Sequence, residues 1–345
     1  MTIRNLDATR RQAGGLWMNR RGLLAWVGSA LAIGLPASAL ALGAPTPQRP
    51  RLAPLLEAQA LPALLGRLHI LDIREPDAAD AAGARWPAGA VSAPYARWRG
   101  PSNNPGALRP LADYTALVRS LGIDDTTPVL IVGDADDPTD FGAAARVYWT
   151  LRWLGLREVA ILNGGAEAWE RAGLPMAAHP ATPAPSAFTP RPDERVRAQA
   201  AEIRAQLGDG RTLLLDARPE PFFRGQRKAP AAARPGTLPG AQPFDNAQWF
   251  PDGSGRLPDG ATLARIAAQA PWRSAQVPAA TVSFCNTGHW AATNWFVLSE
   301  LLRVPGVKLY PGSMVEWSQA GAPMANVPGR AEQLWAQLRS LWSTP

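Results

Sequence analysis

Four features occur twice in this chain, in the same order, and no other property of the sequence limits its fold so closely. The first is a short apolar run ending in Asp-x-Arg: Leu68 to Asp72 with Arg74, then Leu213 to Asp216 with Arg218. The second is a Pro-Gly-Ala element, Pro87, Gly89 and Ala90, then Pro239, Gly240 and Ala241. The third is an apolar run leading into a loop and a helical pattern, Val129 to Val132 and Val282 to Phe284. The fourth is a glycine five positions before a tryptophan, Gly164 to Trp169 and Gly312 to Trp317. The offset lies between 144 and 153 residues throughout, which marks tandem homologous units. Short strands alternating with helical stretches predict an α/β fold, a parallel sheet flanked by helices in each unit.

The remaining segments divide the chain. Domains are expected over residues 50–176 and 193–329, consistent with the length of the chain. Pro175 to Pro192 holds six prolines, and no charge falls between Leu174 and Pro190. Residues 177–192 are therefore expected to form a stiff, extended linker. Residues 1–44 read as an export signal: Arg20 and Arg21, an uncharged run from Gly22 to Leu35, then Ala37, Ala39, Ala41 and Ala44. The paired arginines suggest the twin-arginine route and a periplasmic home. The alternative is an uncleaved membrane anchor, although Pro36 interrupts a run already short for a bilayer. Residues 330–345 are expected to form a C-terminal helix, with Leu334, Trp335, Leu338 and Leu341 on its apolar side. The leading segment carries five arginines and one aspartate, so +4 of the formal +7 sits there and +3 remains. That is too mild and scattered to argue for nucleic acid, and the membrane is expected to matter only through the export signal.

The lone cysteine, Cys285, lies where one repeated strand gives way to a loop and a helix. No intrachain disulfide can form. A loop wrapping a helix start aims backbone N–H groups inward and adds the positive end of a dipole. Such a field favours thiolate and makes a nucleophile beside a nest for anionic oxygens. The alternative is a small buried hydrophobe at a strand end. An unpaired thiol in an oxidising compartment is at risk of damage, which weighs toward a working one.

Strand, loop and doubled order together make residues 50–329 resemble the two-domain rhodaneses, which are sulfurtransferases. Their active loop is a cysteine and five further residues closing on a helix. The resemblance implies that Cys285 is catalytic and that Asn286, Thr287, Gly288, His289, Trp290 and Ala291 form the substrate-binding loop. Arg218, Arg224 and Arg234 are further candidates for holding an anionic donor. No metal or organic cofactor is implied. The first domain is expected to lack chemistry, since Gly133 and Asp134 stand where the second has Cys285, and to contribute to the cleft wall. Asp216 then ends the neighbouring strand and holds loops through backbone N–H groups. Arg218 either grips the donor or pairs with Asp216, and the pair is preferred. Arg224, Arg227, Lys228 and Arg234 either draw a dianion toward the cleft or are solvated charge. His289 either bonds substrate oxygens, supports the thiolate when protonated, or points to solvent. Trp290 screens or gates the site, Thr287 donates its hydroxyl or caps the helix, and Gly288 permits the backbone reversal.

The implied reaction moves a sulfane sulfur from a small anionic donor such as thiosulfate to cyanide, a thiol or an acceptor protein, through a persulfide on Cys285. The loop Asn-Thr-Gly-His-Trp matches neither the basic set of thiosulfate-type relatives nor the Gly-Ser-Gly-Val set of mercaptopyruvate-type ones. Phe222 and Thr237 stand where many relatives carry an arginine and a histidine. These departures count against mercaptopyruvate, whose carboxylate needs a clamp. A 3-mercaptopyruvate sulfurtransferase, a periplasmic sulfur carrier without turnover and a degenerate scaffold remain as alternatives. A phosphatase would need an arginine at Ala291. His69 and His179 offer no protease arrangement. Asp134, Asp136, Asp137 and Asp140 lack the spacing of a calcium loop and are expected to be solvated.

Overall fold

The repeated runs become the centres of two parallel sheets. The computed structural model describes residues 51–75, 85–270 and 279–329; the expected export segment and C-terminal helix lie outside them. In the first half the strands are β1 (Leu55–Leu56), β2 (His69–Asp72), β3 (Trp86–Pro87), β4 (Val91–Ser92), β5 (Val129–Val132), β6 (Val159–Leu162) and β7 (Met176–Ala177). Five of them form a sheet in the order β1-β6-β5-β2-β4, every pair parallel. The second half contributes β8 (Thr212–Asp216), β9 (Gln242–Pro243), β10 (Ala280–Phe284) and β11 (Val307–Leu309), in the order β11-β10-β8-β9, again parallel. β5 is apolar throughout, and β10 is buried from Thr281 to Phe284 although it carries Thr281 and Ser283, because helices cover both faces of each sheet.

Eight α-helices flank the sheets among the described residues: α1 (Leu111–Ser120), α2 (Pro138–Trp153), α3 (Gly165–Arg171), α4 (Ala200–Gln206), α5 (Glu220–Phe223), α6 (Gly260–Gln269), α7 (Trp290–Trp295) and α8 (Ser313–Gln319). None is long and apolar enough to cross a membrane. Helix α2 follows β5 and packs against α7, which follows β10. With that contact on one side and the sheet on the other, Ala291 to Leu298 are buried all round, through α7 and into the π-helical turn Phe296–Leu301 that continues it. Phe141 and Tyr148 of α2 meet Phe296 edge-on, with ring centroids 5.7 and 4.9 Å apart.

The acidic stretch before α2 is solvated as expected, with Asp134, Asp136 and Asp137 exposed, and two of its aspartates also cap the helix. Asp137 Oδ1 accepts the N–H groups of Thr139 and Asp140, and Asp140 Oδ2 accepts those of Asp136 and Asp137. With Pro138 at the first helical position, this is a capping box. The proline-rich segment also differs from a free spacer. β7 pairs with β3, Ala181 N–H donates to Ala90 O, Ser186 N–H to Arg119 O, and Phe188 is buried. Proline removes donors but leaves carbonyls and alternate N–H groups to bond, so the segment straps the first half.

Six tryptophans are fully buried, and each finds an acceptor for its indole N–H. Trp169 donates to Pro175 O and Trp317 to Pro323 O, one arrangement used twice. Asp-x-Arg is likewise a brace used twice. Arg74 Nε and Nη2 bond the Asp72 carboxylate, and Nη2 also reaches Arg85 O. Arg218 repeats this with Asp216 and Gly236 O, and Thr237 Oγ1 donates to Asp216 Oδ2 at 2.7 Å. In both halves the pair stitches the carboxyl end of the strand to the following loop.

Removing one partner of a buried pair strands the other without water. Arg218→Met should destabilise the fold by about 3–5 kcal/mol, read from the urea midpoint at constant slope. Arg74→Met should cost less, because the Arg74 side chain keeps 11% of its surface in solvent against 2% for Arg218.

Candidate active site

Strand β10 ends at Phe284, and the next residue is Cys285. The loop that follows sends its carbonyls outward to fixed donors. Cys285 O accepts Met314 N–H and Asn286 O accepts Val315 N–H, both from the first turn of α8. Thr287 O accepts Arg99 Nη2 at 2.9 Å and Arg146 Nη1 at 3.2 Å. Gly288 O accepts Arg146 Nη1 at 3.1 Å, and His289 O accepts Ala292 N–H. A trans peptide points its N–H opposite to its C=O. The N–H groups of Asn286, Thr287 and His289 thus face away from these partners and meet no protein acceptor among the described residues. Ser313 Oγ takes the N–H groups of Cys285 and Gly288, at 3.1 Å each, and pins the loop from beneath. Gly288 has φ of +64°, a conformation that suits glycine.

The sulfur is buried yet not enclosed. Cys285 has 1% of its surface exposed but lines a cavity of about 280 Å³. Asn286, Thr287, His289 and Trp290 of the loop share that lining, with Thr139 and Ala229 opposite. Thr139 belongs to α2, so the half without a cysteine supplies part of the wall.

His289 is held from both sides by that half. Its Nε2 lies 2.7 Å from Thr139 O, and its Nδ1 lies 2.7 Å from the Tyr95 hydroxyl. A carbonyl only accepts, so Nε2 is assigned the proton and Nδ1 accepts from Tyr95. Ring burial, with Arg99 and Arg146 nearby, pulls its pKa down to about 3. Of the three expected roles, the protonated support for the thiolate and the solvent-facing side chain are thereby corrected, and with both ring nitrogens bonded within the protein none is left for substrate oxygens. His289 is a neutral strut. Its fit requires Gly142, where a Cβ would lie 2.8 Å from Nε2. Trp290 Nε1 donates to Thr139 Oγ1 at 3.3 Å, and its ring meets Phe222 edge-on.

Arg218 takes the preferred pairing rather than a grip on the donor: it is spent on Asp216 and Gly236, and its Nη1 reaches Asn286 Oδ1 at 3.3 Å and so steadies the loop. The other arginine assignments change. Arg224 pairs with Glu220 on the surface, with 62% of its side chain exposed. Arg234 donates to Ala322 O. Neither lines the cavity. Arg227 lies over the Phe222 ring, and Lys228 donates to Ala232 O. Ala291 is buried in α7, where its carbonyl accepts Ser283 Oγ–H.

Tyr95, Arg99, Thr139, Arg146 and Ser313 hold the site and were not singled out from sequence. A faint signal existed for the contact between halves. Gly106-x-Leu108 and Gly255-x-Leu257 each precede a helix, α1 and α6. Each glycine packs on the other half's loop: a Cβ on Gly106 would lie 2.9 Å from Thr287 O, and one on Gly255 2.7 Å from Ala135 Cα.

The profile of the rhodanese-like domain matches residues 199–320. A probable 3-mercaptopyruvate sulfurtransferase of Pseudomonas aeruginosa is 36% identical over 216 residues, covering 60% of this chain and 72% of that one. A putative thiosulfate sulfurtransferase of Mycolicibacterium smegmatis is 30% identical over 221 residues, covering 61% and 76%. Among solved structures, SseA of Escherichia coli, described as a 3-mercaptopyruvate sulfotransferase with the rhodanese fold, superposes with a TM-score of 0.63. It has 21% identity and covers 76% of this chain and 98% of its own.

The strut at His289 gives a pH dependence with a definite sign. Unfolded, the imidazole takes a proton near 6.5; folded, it stays neutral to about 3. The unfolded state binds more protons across that window, so stability falls as pH drops through it, by up to about 1.4 kcal/mol per unit. Urea midpoints measured from neutral to acid pH should show this fall in the wild type, and a shallower one in His289→Gln.

Proposed function

The chain belongs to the rhodanese family of sulfurtransferases, and from that premise we propose that it moves sulfur through a persulfide on Cys285, with thiosulfate as the donor that best suits the cavity. The observation that carries this reading is the placement of Cys285 at the wall of a cavity lined also by Asn286, Thr287 and His289, whose main-chain N–H groups meet no protein acceptor among the described residues. In the first step the Cys285 thiolate attacks the outer sulfur of thiosulfate. The new S–S bond forms as the S–S bond of thiosulfate breaks, and sulfite departs with the electron pair. In the second step cyanide or a thiolate attacks the outer sulfur of the persulfide, and Cys285 leaves as thiolate. No net oxidation of the protein occurs over the cycle.

The free N–H groups of Asn286, Thr287 and His289 and the Thr287 hydroxyl are the donors available to the sulfite oxygens. Trp290 and Ala229 keep the approach apolar and exclude water. A mercaptopyruvate carboxylate would lack a guanidinium on the cavity wall, which favours thiosulfate over it. The periplasmic address suggested by residues 1–44 would place the thiol in an oxidising compartment, where a persulfide cycle explains its retention.

Incubation with thiosulfate should add one sulfur atom to the intact protein by mass spectrometry, and cyanide should remove it with release of thiocyanate. Double-reciprocal plots against both substrates should be parallel, as a two-step exchange requires. Cys285→Ala should lose the added sulfur and at least about 10³-fold in kcat while keeping the wild-type Tm. Loading by mercaptopyruvate but not thiosulfate would overturn the donor assignment. Stable loading without turnover would make the chain a carrier.

A further inference from the structure

An anionic sulfur needs positive charge nearby, and no lysine or arginine lines the cavity. The charge sits behind the loop, on the half that has no cysteine. Arg146 of α2 is fully buried, and its Nη1 donates to Thr287 O and Gly288 O while Nη2 donates to Gly106 O at 3.0 Å. Arg99, less deeply placed, donates to the same Thr287 O. Every acceptor of the two guanidinium groups is a main-chain carbonyl. Neither has a carboxylate partner among the described residues, and Arg146 Nε and Arg99 Nη1 are buried with no acceptor at all. Burial and the neighbouring Arg99 pull Arg146 down to about 10, which still leaves it charged at neutral pH. The titratable groups facing it are Arg99, the phenols Tyr95 and Tyr114, and the Cys285 thiol; neutral His289 completes the surroundings.

A buried cation without an anion is costly, and two side by side cost more. We infer that Arg146, with Arg99, is a positioning residue for sulfur transfer: together they hold the carbonyls of Thr287 and Gly288 and supply, through the loop, the counter-charge for an anionic sulfur on Cys285. The route is short. The Gly288 carbonyl belongs to the same peptide group as the His289 N–H, which has no protein acceptor among the described residues and belongs to a residue that lines the cavity. A guanidinium on one end of that peptide polarises the donor on the other. The thiolate and the persulfide anion that replaces it both benefit. The half that has lost its nucleophile thus retains a part in the chemistry.

This inference rests on Cys285 being the nucleophile, and the test separates the two. In the full chain, iodoacetamide alkylation of Cys285 is timed from about pH 5 to pH 9, alongside sulfur loading from thiosulfate. Arg146→Met should raise the midpoint of the alkylation profile by about one unit and slow the reaction at pH 7 about tenfold, with sulfur loading slowed in parallel. Arg146→Lys, which keeps the charge but not the fork, should recover part of that loss. Arg99→Met, at a less buried position, should shift the midpoint the same way by less, and it carries the test if Arg146→Met does not fold. Midpoints unchanged in both methionine variants, against a reactive wild type, would overturn the inference. A wild-type Cys285 that neither alkylates nor takes up sulfur would instead bring down the nucleophile assignment, and this inference with it.

Discussion

A main-chain carbonyl that leaves water must find a donor, and the loop at Cys285 has five in succession to place. Two go to the first turn of α8, one to α7, and the remaining pair to Arg146 and Arg99 of the other half. Because each peptide is planar, fixing the carbonyls outward also fixes the direction of the N–H groups. Which N–H groups of the loop are left without a protein partner is therefore a consequence of where the carbonyls are tied. The second half contains the sulfur, but it cannot by itself satisfy the loop that carries it.

The two halves keep the same scaffold and differ at one tip. Strand order, the Asp-x-Arg brace and the buried tryptophan after the last sheet strand recur in both. At the tip the first half has Gly133 and a run of aspartates that cap α2. Partial burial and the neighbouring Asp140 push the Asp134 carboxyl above its usual range, and Asp134 does not line the cavity. The capped helix then presents Thr139 and Arg146 to the other loop. The copy without a nucleophile supplies a helix that serves the other.

Much of the fold was legible because its signals are local. Uninterrupted apolar runs mark buried parallel strands, and their repetition fixes how many sheets to expect. Cys285 at a strand end was legible for the same reason. The cations were not. Arg224 stands one helical turn after Glu220, a spacing that favours their pairing, although as part of a basic run with Arg227, Lys228 and Arg234 it reads equally as an anion site. Arg234 shares that run but is bonded to Ala322 O. Arg146, more than a hundred residues from Cys285, offered no local cue, since an arginine inside a helix reads as surface charge. His289 sits in the loop as expected, but its protonation depends on Tyr95 and Thr139.

The sequence by itself determined that the chain is a duplicated α/β protein, that each copy braces a strand with Asp-x-Arg, and that a single thiol ends the central strand of the second copy. These are matters of periodicity, turn chemistry and residue type within a few positions. Only the tertiary structure decided which charges are neutral, which are paired and which stand behind the loop. Hydrogen-bond partners and desolvation are set by distances through space, and here the decisive ones join residues from opposite halves of the chain.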